Sequence, residues 1–249
     1  MTEAAASTPE PELGLLGRAI GVITSPAATF AHVVRDPRPA AILLIVSAVI
    51  AVAATVPQMT ERGRLAALTA QVEFMERFMG EVPDVMYAQM EAQSRNSLAP
   101  VWGAVGAFVW MPVVALFFTA LLWGLFNALL GGTGTFKQVL GIVTHSMVIM
   151  ALGAAAAMPI QLMQDSFSFT GPFNLGALVP MMDPESFIVR FLGWTSAITI
   201  WQTIVIAIGL GVLYKRRSTG IAIGLLTAYG GLVLIGVSIY SAVVGRMGS

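Results

Sequence analysis

The chain has 249 residues, 57% hydrophobic and only 10% charged, with 13 Lys and Arg balancing 13 Asp and Glu, and a mean hydropathy of +0.82. A soluble globular domain carries about 25% charged residues, so that class is excluded, and the absence of cysteine excludes a disulfide framework, a thiolate nucleophile, a zinc-thiolate site and an iron-sulfur cluster. With zero net charge and no Lys/Arg-rich run, nothing is present to neutralise a phosphate backbone, and nucleic acid is not an expected partner.

Residues 1–13 carry Glu3, Glu10 and Glu12 without a basic residue, unlike a cleaved signal, and are expected to form a disordered tail. Residues 14–38 follow as a pair of short amphipathic helices. In the first, Leu13, Leu16, Ile20 and Ile23 recur at helical spacing. Ser25 then offers a hydroxyl N-cap and Pro26 the first helical position of the second, which places Ala27, Phe30 and Val33 or Val34 on one face and ends before Pro37. Such helices lie along the membrane interface, either capping a helix bundle or sensing lipid.

From Pro39 onward, apolar runs reach the length of about 20 residues that a helix needs to cross a bilayer. Five spans are expected: Pro39 to Val56, closed by Pro57; about Pro100 to Leu130; Val139 to about Leu162; about Phe191 to Tyr214; and Thr219 to Val244. None contains Asp or Glu. The fold class is therefore all-α, a polytopic bundle of five transmembrane helices occupying residues 39–244. The second span is long enough to require a tilt, a protrusion or a kink near Pro112, and Pro159 predicts a kink in the third. Trp102, Trp194, Tyr214 and Tyr240 fall near span ends, where amphipathic rings favour the headgroup layer.

The connection 60–99 is the longest polar stretch. Within it Leu65, Leu68, Val72, Met75, Met79 and Val82 alternate steps of three and four, a heptad seam, before Pro83 breaks the helix and Met86 and Met90 begin a shorter one. An extramembrane helical hairpin is expected, net acidic with six acids against four arginines. Its seam suits packing on the bundle or association with a partner or a second copy, and amphipathicity alone does not separate these.

Sorting basic residues by side places Arg18, Arg35, Arg38, Lys137 and Lys215 to Arg217 together, seven against six on the other side. Because the very short turn at Lys215 to Arg217 resists translocation most, the N-terminus is expected in the cytoplasm and the C-terminus outside, with the cytoplasmic membrane as location.

Catalytic chemistry needs convergent polar groups. Only His32 and His145 are available, so neither a His-Glu-x-x-His motif nor a histidine pair can form, and no Gly-x-Ser-x-Gly elbow occurs. His145 lies inside the third span. With Asn127, Gln161 or Gln202 it could build a proton or ligand site, or it could be a neutral imidazole bonded to its neighbours. Gly131 to Lys137 meets neither phosphate-loop nor dinucleotide spacing and reads as a flexible turn. Asp165, Asp183 and Glu185 lack ligand periodicity and read as solvated acids, in a loop rich in Phe and Pro that packs back over the bundle mouth. Neither a metal nor a cofactor is expected. Gly220 and Gly224, Ala207 and Gly211, Gly103 and Gly106, and Gly230 with Gly231 are small residues that permit close helix approach, expected here within the chain rather than between copies.

Three pieces in order carry a resemblance: Ser25-Pro26-Ala27-Ala28-Thr29-Phe30; Gly131-Gly132-Thr133-Gly134-Thr135-Phe136-Lys137-Gln138-Val139-Leu140; and Ile200-Trp201-Gln202 leading through Ile208-Gly209-Leu210. A basic turn and a final apolar span follow. Over about Gly14 to Val244 the chain resembles the YIP1 (Yip1-domain) family of five-span membrane proteins, in its compact prokaryotic-type form. The resemblance implies an integral membrane protein with a cytoplasmic N-terminus and no established enzymatic activity. Eukaryotic relatives act in vesicle trafficking with small GTPases and with one another, but the Asp-Leu-Tyr-Gly-Pro motif of those members is absent here. The expected function is a non-enzymatic scaffold or adaptor that organises membrane-protein partners, itself included, or bilayer shape. A small permease or channel using the polar residues within the spans is the alternative.

Overall fold

The computed structural model describes residues 13–79, 81–164, 171–183 and 186–247. Of the expected tail, only Leu13 is among them. Leu15–Thr24 (α1) and Pro26–Arg35 (α2) form the two short helices. Proline at the first position of α2 needs no N–H partner. Ser25 does not cap α2 with its hydroxyl as expected; its backbone carbonyl instead accepts from both the N–H and the hydroxyl of Thr29, each at 3.0 Å. A left-handed residue, Arg38 at φ 35°, then turns the chain into Pro39–Thr55 (α3).

A 3-10 turn at Pro57–Met59 leads into Glu61–Met79 (α4) and Asp84–Arg95 (α5), the hairpin. Gly63 sits so close to the Pro57 carbonyl that a side-chain carbon there would overlap it, which fixes the angle at which α4 leaves the bundle. The second span is Ala99–Gly124 (α6), continued by a π-helical turn at Leu125–Leu129. Pro112 is carried inside α6, and the departure from α geometry falls one segment later, at that π turn.

Phe136–Gln164 (α7) is the centre of the bundle and the most deeply buried of the five long helices, and the last helix is the least buried. α3, α6 and α2 pack on it, as does Ala197–Tyr214 (α9), which in turn holds Ser218–Met247 (α10) on the outside. These five long helices, α3, α6, α7, α9 and α10, are each apolar and long enough to cross a membrane. The chain is a multi-pass membrane protein.

The fourth span does not begin at Phe191. Residues Phe187–Trp194 form a separate helix (α8), and α9 starts at Ala197. The break is held by an extended pairing in which Leu175 N–H donates to the Thr195 carbonyl at 2.8 Å and Ala197 N–H to the Phe173 carbonyl at 3.0 Å. Hydropathy runs on across Thr195 and Ser196, so the apolar pattern alone carries no sign of it.

Small residues were expected to serve packing within the chain, and on α10 most do not. Among the described residues, nothing lies within 4 Å of where a side-chain carbon would stand at Gly220, Gly224, Gly230 or Gly231, nor at Gly103 or Gly106 on α6. Of the four end-lying aromatics, Trp102 faces outward at 69% exposure, whereas Tyr240 is buried against Trp194.

Candidate functional site

Many of the motif residues gather at one end of the bundle, where the turn from α6 to α7 is held by several hydrogen bonds. Trp123 Nε1 and Asn127 Nδ2 both donate to the Gly134 carbonyl, at 3.0 and 2.6 Å. The Tyr214 hydroxyl at the end of α9 donates to Asn127 Oδ1 at 2.9 Å, and its ring stacks on Phe126 at 4.8 Å. A side-chain carbon at Gly132 would come within 2.5 Å of the Tyr214 ring, and one at Gly134 within 2.9 Å of its hydroxyl. Glycine at both positions therefore lets the turn lie flat on Tyr214. The turn at Gly131 to Lys137 is thus tied to α6 and α9 by this network.

The same turn is tied to the N-terminal helices. Gln138 Oε1 accepts from the Thr135 N–H at 2.9 Å while its Nε2 donates to the Val34 carbonyl of α2 at 3.1 Å. Phe30, fully buried, projects from α2 toward α9, where Gly209 admits it: a side-chain carbon at Gly209 would stand 2.5 Å from Ile142 and 3.2 Å from the Phe30 ring. Pro26 starts α2, and Trp201 of α9 packs half-buried against the core. Phe136 meets Trp123 edge-on at 6.2 Å, and Lys137 is left exposed. Apart from Trp201, which lies 13 residues before Tyr214 and so about 20 Å along α9 from it, the motif residues join α2, α6, α7 and α9.

Arg18 was sorted above only as a basic charge, yet it is 3% exposed. Its guanidinium donates to the Leu13 carbonyl at 2.9 Å, the Asp36 carbonyl at 2.6 Å and the Asp36 carboxylate at 2.9 Å. That staple closes α1 over the end of α2, and Arg38 pairs with the same carboxylate. The signal available was a lone arginine inside an apolar stripe, which a buried setting tolerates only when paired. With Arg18 turned inward, Leu16 and Ile20 face outward, 75% and 52% exposed.

The intramembrane polar candidates do not converge. Asn127 is spent on the turn. His145 is fully buried, with Nδ1 2.7 Å from the Gly141 carbonyl of its own helix, while Nε2 and the Ser47 hydroxyl are buried without a hydrogen-bond partner among the described residues. Gln161 lies 16 residues further along α7, about 24 Å away at the helical rise. Gln202, half-buried on α9, has no hydrogen bond to the other three. Thr144 and Ser146, the buried neighbours of His145, return their hydroxyls to backbone carbonyls one turn back, as Thr119 does on α6. Such bonds satisfy the groups locally and leave them unavailable for relay.

The hairpin seam divides. Leu68 and Val82 are buried with Met90, Val72 and Met75 are half-buried, Leu65 is 52% exposed, and the side chain of Met79 lies outside the described residues. Asp165 and Glu185 also lie outside them, and among the described residues no three His, Cys, Asp or Glu side chains stand close enough to share a metal ion. In the loop at the opposite end, Arg190 stacks over Tyr240 at 5.5 Å and donates to Ser241 at 3.3 Å, which fastens α8 to α10.

A family model described as Yip1 domain matches residues 20–240. No curated protein and no solved structure gives a match.

Proposed function

The chain belongs to the Yip1 domain family, and on that premise we propose that it is a non-enzymatic scaffold or adaptor, one that organises membrane-protein partners or bilayer shape by contact. The observation that supports this most is where the motif residues go. The side chains of Asn127, Gln138 and Tyr214 and the glycines of the turn are consumed in bonds between elements. What remains exposed is a firm face made of α1, the 131–135 turn and the basic turn after α9, joined where Arg216 donates to the Leu130 carbonyl at 2.9 Å. A face held this rigidly loses little entropy on docking. We place it in the cytoplasm, because its short turn holds Lys215, Arg216 and Arg217, and we place the protein in the cytoplasmic membrane. The hairpin, carrying Leu65 outward, would then stand on the far side as a second contact surface.

A photo-reactive residue at exposed Lys137, irradiated in native membranes, should give discrete protein adducts that disappear when Gly132→Val disrupts the turn. Purified protein in liposomes should move no solute. Reproducible flux abolished by Asn127→Ala or Gln202→Ala would replace the scaffold reading with the permease one.

A further inference from the structure

The outer helix α10 leaves a groove of about 570 Å³ between its first turns and the π turn that ends α6, within the ~300–1,000 Å³ range of ligand clefts. Leu125 and Leu130 line one side, Ile221 and Leu225 the other. Gly220 and Gly224 line it too, and their missing side chains leave open space. From Arg217 to Ala228 the groove follows α10 for about 16 Å at the helical rise, close to half of the ~30 Å hydrocarbon thickness, that is, one leaflet.

Its head end is basic. Arg216 and Arg217 both line it, and Lys215 and Lys137 stand exposed at the same end of the bundle. Among the described residues, the side chains of Lys137, Lys215 and Arg217 make no hydrogen bond or ion pair, and Asp36, the acid that the described residues place at this end, is already held by Arg18 and Arg38. An apolar channel one leaflet deep, headed by basic side chains that form no ion pair among the described residues, has the shape and charge of a complement to a lipid with an anionic headgroup.

We propose that this groove is a binding site for an anionic phospholipid of the adjoining leaflet, its acyl chain lying along the Gly220 and Gly224 face and its phosphate held by Arg216 and Arg217. A second copy is the competing occupant of a glycine face. It is disfavoured here because two chains inserted in the same orientation and packed symmetrically through these glycines would bring their Lys215 to Arg217 turns together, a like-charge juxtaposition that opposes association. The site is independent of the scaffold reading: lipid retention is measured on purified protein, whatever partners it has.

The test is native mass spectrometry of the detergent-solubilised protein after exposure to equal amounts of phosphatidylglycerol and phosphatidylcholine with identical chains. Wild type should retain phosphatidylglycerol preferentially. Arg217→Gln, at an exposed position, should lower that retention about fivefold, the size expected for one basic contact, and lower retention of phosphatidylcholine by less, because its choline offsets the phosphate charge. Gly224→Leu, which fills the groove, should reduce both. Equal retention of the two lipids by wild type, or phosphatidylglycerol retention unchanged in Arg217→Gln, would overturn the proposal. So would efficient disulfide dimerisation of Gly224→Cys in vesicles containing phosphatidylglycerol, an unambiguous readout in a chain with no other cysteine.

Discussion

At the scale of single residues, the positions that matter most are those where a side chain or its absence decides whether two helices meet. Gly209 is one. Leucine there would have to displace Ile142 and Phe30, both fully buried, and overpacking of that kind costs about 1–3 kcal/mol; Gly209→Leu should melt measurably earlier than wild type in detergent. Arg18→Met should cost about 2–3 kcal/mol, less than a fully buried pair because Asp36 is 44% exposed and keeps Arg38, and protease should then cut between α1 and α2. His145→Leu removes one bond to Gly141 together with a nitrogen that lacks a partner, so the two effects offset and the change in stability should stay within about 1 kcal/mol. A collapse of the fold in that variant would show that His145 does more than fill space. The motif glycines were visible in the sequence, but their purpose was not: nothing local to Gly132 or Gly134 announces Tyr214, some 80 residues away.

At the scale of elements, what was legible was what hydropathy and helix signals encode locally. The short helices at Leu15–Thr24 and Pro26–Arg35, the hairpin broken at Pro83 and the five long helices all follow from spacing, proline and length. What was not legible came from pairing between distant segments. The break at Thr195 is made by residues 173–175, and the heptad seam, with Leu68 buried and Leu65 exposed, is divided where α4 packs against the 57–59 turn, α5 and α10. Glycines show the same contrast. Gly63 meets the Pro57 carbonyl and Gly220 meets nothing, so Gly63→Val should loosen the hairpin and speed proteolysis within α4, while Gly220→Ala should leave thermal stability within about 0.5 kcal/mol of wild type. Equal effects of the two substitutions would mean that the hairpin is not anchored through that contact.

At the scale of the whole molecule, five helices are long and apolar enough to cross a membrane, an odd number that would put the two ends of the described chain on opposite faces, and the motifs around Pro26 and Gly131 to Gln138 meet Tyr214 at one end of the bundle. Composition foretold the membrane and the number of crossings. It did not foretell that α7 would be the axis, because α7 is less apolar than α3 or α6. Burial follows instead from which helices its small and polar residues let in. The account as a whole depends on the motif-bearing face and the hairpin lying on opposite sides of the bilayer, with the former in the cytoplasm. An impermeant thiol reagent applied to cells carrying either Thr133→Cys or Ser97→Cys tests this directly. Thr133→Cys should label only after the cells are opened and Ser97→Cys in intact cells; labelling of both from the same side, or the reverse pattern, would contradict it.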